Sequence, residues 1–163
     1  MGAWNGAEMR QVLVVANQTL LGVELAEVIK ARMSEVPCEF FLLVPVPPIR
    51  ARSRSVESSE TEVGAGAESH RPDSHELTRQ RVEIGLKWMR ELGATASGNV
   101  GGEDPLGAIR YVIGHRPVDE IVISTLPKGV SRWLRQDLPH RVERRFKLPV
   151  TVVTAGTSLS GQR

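Results

Sequence analysis

Ser124, Thr125, Gly129 and Ser131 are the residues whose types and spacing best suit ligand chemistry, because these small groups bracket a turn from strand to helix. Glu120–Ser124 is a short, largely apolar run, Thr125–Gly129 reads as a loop, and Val130–Lys147 is amphipathic. A strand that ends in a small polar residue and feeds a helix can cradle an anion, since helix N-terminal N–H groups and the helix dipole favour negative charge. Lys128, Arg132, Arg135 and His140 would add positive charge nearby. Two residues oppose this. Pro127 lacks an N–H donor and holds φ at about −65°. Asp137 is suited to cap the final helix with its own carboxylate, where it would compete with an anion. We therefore read Ser124 and Thr125 as satisfying strand-end backbone groups and the basic side chains as a solvated helix face. A rebuilt anion or nucleotide pocket is the alternative.

Other chemistries find less support. Cys38 is the only cysteine of the 163 residues, so an intramolecular disulfide or a thiolate zinc site is excluded; its strand context marks it as a small buried residue. His70, His75, His115 and His140 lack metal-ligand spacing. No Ser-His-Asp order, paired-carboxylate motif or G-x-S-x-G elbow is present, so no enzyme activity is assigned. Between Lys128 and Lys147 seven Lys or Arg face two acids, yet no interleaved aromatics accompany them, which argues against nucleic acid. A net charge of +2 is uninformative about partners. No apolar run approaches the length of a membrane span, and Met1–Arg10 lacks a secretory apolar region, so a cytoplasmic protein is expected. Gly6 stands where a myristoylation start wants Ser or Thr, so no lipid anchor is expected.

The elements that must position these residues alternate. Gln11–Ala16 is a continuous apolar run, as in a strand covered on both faces. A helix over Leu20–Met33 follows, with Asn17 or Thr19 as its N-cap, and then a second buried strand, Phe40–Val46, is stopped by prolines. Ile49–His75 is too polar to offset the entropy of ordering it and reads as a mobile insertion. A helix over Glu76–Leu92 takes its apolar positions from Leu77, Val82, Ile84, Leu86, Trp88, Met89 and Leu92, with Gly93 as C-cap. Ala94–Val100 is a weak strand, and Asp104-Pro105 starts a helix with Leu106, Ile109, Val112 and Ile113 on its apolar face. Strand Glu120–Ser124, a last helix and strand Pro149–Val153 complete a β-α alternation. It predicts an α/β fold with one open parallel sheet, helices on both faces and ligands at the carboxyl ends of the strands. The domain spans residues 11–154, with a flexible N-terminus at 1–10 and a frayed tail at 155–163.

The opening Val12–Asn17, the turn Gly102–Leu106 with Ala108-Ile109, and the closing Arg141–Val153 together resemble the universal stress protein family, small domains of the adenine-nucleotide-binding superfamily. The resemblance covers about residues 11–153 and implies a five-stranded Rossmann-like sheet of order 3-2-1-4-5. Nucleotide-binding members carry G-x-x-G-x9-G-[ST] after strand four and an acidic residue after strand one. Here Ser124 and Pro127 occupy the first two glycine places, Gln136–Pro139 has neither the last glycine nor the hydroxyl, and Asn17 stands for the aspartate. The resemblance therefore implies a non-catalytic, dimeric stress-response or regulatory module that has lost the family's ATP grip and needs no cofactor. Its alternative is an ATP or adenine-nucleotide binder using Asn17, Ser124, Thr125, Gly129 and Ser131; an ATP-hydrolysing relative is the enzyme-class alternative, without a positioned base to support it. Strand five, 150–153, would be an open edge, so pairing with a second copy is expected, and an unspecified protein partner is compatible with a regulatory role.

Overall fold

A computed structural model describes residues 9–47, 74–127 and 131–156, the Arg135 side chain excepted. The chain runs β1 (Arg10–Val15), α1 (Val23–Glu35), β2 (Cys38–Pro45), α2 (Ser74–Glu91), β3 (Thr95–Gly101), α3 (Pro105–His115), β4 (Glu120–Thr125), α4 (Arg132–Arg135), α5 (Leu138–Phe146) and β5 (Val150–Thr154). All strand pairs are parallel, in the order β3-β2-β1-β4-β5. The predicted α/β class and strand order are those observed. The proposed insertion at 49–75 lies outside the described residues except for Ser74 and His75, which open α2.

The continuous apolar runs follow from burial on both faces. Val12, Val14 and Ala16 turn toward α1 and α2 with Val122. Leu13 and Val15 turn toward α3 and α5 with Ile121 and Ile123. Gly85 lets α2 close on β2: a Cβ there would lie 2.7 Å from Leu42 Cδ2. Gly93, at φ 98°, ends α2 in the left-handed conformation that a glycine adopts without strain.

Several details differ from expectation. Helix α1 has Gly22 as its N-cap, a residue with no side chain to cap it, while Thr19 and Asn17 direct their polar groups elsewhere. Leu77 and Ile84 are exposed, and α2 buries Thr78, Val82, Gly85 and Met89 instead. The amphipathic segment after β4 is two helices, α4 and α5, broken at Gln136-Asp137, with Asp137 at φ 55°. Arg10 belongs to β1, while Ala155 and Gly156 form a turn tied to Thr125 and Glu24.

The two sheet edges are treated differently. Gly101 O accepts from Val46 N, so alternation along a parallel strand turns the backbone groups of Ala96 and Val100 outward. Gly98 shares that outward parity, and side chains engage one backbone group each of Ala96 and Val100. Arg90 donates to Ala96 O at 2.9 Å, and Asn99 Oδ1 accepts from Val100 N at 2.9 Å. On β5, Ile121 N donates to Pro149 O and Ala155 N to Thr125 O, which faces Thr151 and Val153 toward β4 and turns the backbone groups of Val150 and Val152 to the free edge. No described side chain bonds those two residues' backbone.

Candidate functional site

The carboxyl ends of β1 and β4 lie side by side, since Val15 is in register with Ile123, and each continues into small polar residues. Four hydroxyls collect there, and all are buried. Thr19 Oγ1 and Ser124 Oγ are 2.7 Å apart. Thr125 and Ser131 form a second hydroxyl–hydroxyl contact. Ser131 also caps α4, its Oγ accepting from Leu134 N at 3.1 Å. Its own N–H donates to Pro127 O at 2.9 Å, closing the turn after β4. Ser124 and Thr125 thus direct their side chains to other hydroxyls rather than to strand-end backbone groups, a correction to the sequence reading. The physical cause is pairing: a buried hydroxyl without a partner costs free energy, and here each has one.

Asn17 is half-buried at the end of β1. Its Nδ2 donates to Pro45 O at 3.1 Å, and its Oδ1 accepts from the Arg81 guanidinium. An aspartate here would face the same arginine as a charged partner; the amide instead bridges β2 and α2. Asp137 does not cap α5 with its carboxylate, contrary to expectation. Its left-handed backbone turns the side chain to the ring of His140, with Oδ1 2.8 Å from Nδ1, and both side chains are largely exposed. Gly129 and Lys128 lie outside the described residues. Ser124, Thr125 and Ser131 are brought together, with Asn17 lining the same cleft.

That cleft has two contiguous parts, of about 210 and 230 Å³, which share Asn17, Pro47, Arg132 and Trp133. Thr19, Ser124, Thr125 and Ser131 floor the first part; Glu103, Asp104 and Gln136 border the second. Sequence reading missed Thr19 as a partner of Ser124, Arg81 as a partner of Asn17, and Trp133 and Asp104 as cleft walls. Only Thr19 had a local signal, its place just beyond β1. Among the described residues no group of three or more His, Cys, Asp or Glu is placed to hold a metal, and no helix is long and apolar enough to cross a membrane.

The amino ends of the strands carry a different polar cluster. Glu120 is 4% exposed and accepts two hydrogen bonds from Arg32 Nε, at 2.8 and 3.0 Å, while Arg32 also donates to Thr151 at 3.2 Å. The hydrogen bond to Glu120 holds the arginine still more firmly in its charged form. This cluster joins α1 to β4 and β5, on the opposite end of the sheet from the cleft.

The five-stranded parallel sheet of this order, with its crevice between β1 and β4, is an α/β Rossmann-like fold, and comparison with solved structures finds the same fold in universal stress proteins. No protein-family model and no curated protein sequence matches the chain. Hypothetical protein MJ0577, whose biochemical function was assigned from its structure, superposes with a TM-score of 0.59 at 17% identity, covering 93% of this chain and 100% of that one. A universal stress protein from Archaeoglobus fulgidus gives 0.52 at 14% identity, covering 91% and 96%. A universal stress protein in complex with cAMP gives 0.51 at 15% identity, covering 91% and 100%. The likeness is one of fold, and it is the fold that the sequence motifs implied.

Proposed function

We propose that this chain is a non-catalytic, universal-stress-protein-like module that acts as a homodimer and lacks the family's ATP grip. The observation that carries the reading is the mutual pairing of the hydroxyls at the crevice. Thr19 and Ser124 bond each other, Thr125 and Ser131 bond each other, and the Ser131 amide is engaged by Pro127 O. A phosphate gripped there would have to part these pairs, in each of which one hydroxyl already donates to the other, and breaking such buried bonds costs roughly 1–3 kcal/mol for each group left unpaired. The carbonyl of Pro127 takes up the Ser131 N–H, a donor that a phosphate at this helix start would want.

The contrast between the sheet edges supports dimerisation. Side chains engage Ala96 O and Val100 N on β3, whereas no described side chain bonds the outward groups of Val150 and Val152 on β5. Natural sheets blunt the edges that must not pair, so β5 is the edge available to a second copy. Titration calorimetry with Mg-ATP tests the loss of the grip: the expected result is no stoichiometric micromolar site, and such a site would overturn the reading. A second reading, an adenine nucleotide held in the variant cleft, has the persistence of that cleft in its favour and a solved neighbour in complex with cAMP. Titration with cAMP separates the two.

A further inference from the structure

A third cavity, about 300 Å³, lies away from the crevice, between the exposed strand β3 and helix α3. Helix α3 packs on β2 and β3, and the cavity opens beside it. Its floor and inner wall are apolar: Phe41, Leu43, Ala108 and Val112. Gly101 keeps α3 close, since a Cβ there would lie 3.0 Å from both Ala108 Cβ and Leu43 Cδ1. Beyond it Gly102 borders open space.

Among the described residues lining this cavity Arg116 is the one permanently charged group. No carboxylate side chain lines it. The guanidinium of Arg116 sits over the Phe41 ring, 4.1 Å from its centroid, and among the described residues no acid pairs with it. Contact through the ring face occupies none of the N–H groups. Asn99 uses its Oδ1 on Val100 N, which leaves its amide N–H groups as donors. His115 stacks on Tyr111 with ring centroids 4.0 Å apart and directs Nδ1 to Tyr111 O, a carbonyl that can only accept. The cavity therefore offers an apolar slot beside donors without a partner among the described residues, one of them a permanent cation.

We propose that this groove binds a small planar or branched apolar carboxylate, its hydrocarbon body against Phe41, Leu43, Ala108 and Val112 and its carboxylate on Arg116. The size fits: about 300 Å³ is the lower end of small-molecule sites. An arginine fork suits a planar carboxylate, and a single cation suits a monoanion. The site is independent of the crevice and of the dimer edge.

Benzoate is the probe, with benzamide and benzylamine as neutral and cationic matches, followed through the backbone amide NMR signals of the whole protein. Benzoate is expected to saturate in the millimolar range and to shift Gly101, Gly102 and Val112 while leaving Thr19 and Ser131 in place. Benzamide should bind about tenfold more weakly, as expected for loss of a charged hydrogen bond, and benzylamine more weakly still. Arg116→Gln should bring benzoate down to the benzamide level. Absence of saturable shifts at the groove, equal affinity for benzoate and benzamide in the unaltered protein, or an Arg116→Gln variant that binds benzoate unchanged would each overturn the proposal.

Discussion

Thr19 and Ser124 meet hydroxyl to hydroxyl at 2.7 Å, buried at the floor of the crevice and 105 residues apart in sequence. Their bond ties the loop after β1 to the end of β4. Thr19→Val keeps the shape and strands the Ser124 hydroxyl, so it should destabilise by about 1–3 kcal/mol. Ser124→Ala should cost a similar amount. The double variant removes both partners and should lose clearly less than the sum of the singles. Urea denaturation of the four proteins checks this; strict additivity would mean that the hydroxyls do not depend on each other.

Arg32 and Glu120 are a harsher case, because a buried carboxylate is left without its cation when the arginine is removed. Arg32→Met should destabilise by about 3–5 kcal/mol, and Arg32→Met with Glu120→Leu should recover most of it, as buried ion pairs often exchange well for apolar pairs. The measurement is again the denaturation midpoint. A single variant as stable as the unaltered protein would show that Glu120 is not confined as its burial indicates.

The strands were legible because a parallel sheet covered on both faces needs uninterrupted apolar runs, and 12–15 and 121–123 are such runs. Helix α2 was legible in type but not in orientation. Leu77 and Ile84 lie seven residues apart and make an apolar stripe of their own, whereas the buried stripe holds Thr78 and Gly85, small residues that permit close contact with β2. Ser124, Thr125 and Ser131 could be placed together because they are near neighbours in the chain. Arg81 could not be assigned to Asn17 across 64 residues, since nothing local marks a long-range hydrogen bond. Asp137 has the right residue type for a cap, but its left-handed backbone aims the carboxylate at His140.

Cys38 supplies a pH-dependent prediction. Burial, the main cause, pushes its thiol pKa above the ordinary value of 9.0, and Sγ lies 3.2 Å from Val36 O and 3.4 Å from Arg32 O. The folded protein therefore holds the proton more tightly than the unfolded chain. The corresponding stability is complete below pH 9 and lost as pH rises through the folded-state value. Folded protein should react slowly with Ellman's reagent near neutral pH, and rapidly once denatured. Cys38→Ala should flatten the decline in stability above pH 9 relative to the unaltered protein. Equal reaction rates for folded and denatured protein would contradict this.

Parity along β5 makes the dimer testable at a single residue. Val152 turns its N–H to the free edge and its side chain is partly open, with the residue 40% exposed, whereas Thr151 faces β4. Val152→Pro deletes a donor available to a second copy while sparing the bonds to β4, so it should favour the monomer with little loss of fold stability. Thr151→Pro deletes a donor inside the sheet and should destabilise the fold itself, by about 3 kcal/mol if the penalty resembles that of an interior helix position. Light scattering at high micromolar concentration, with thermal unfolding alongside, distinguishes the two. The expected pattern is a dimeric unaltered protein, a folded monomeric Val152→Pro variant and a destabilised Thr151→Pro variant. A monomeric unaltered protein, or a Val152→Pro variant still fully dimeric, would move the interface away from this edge.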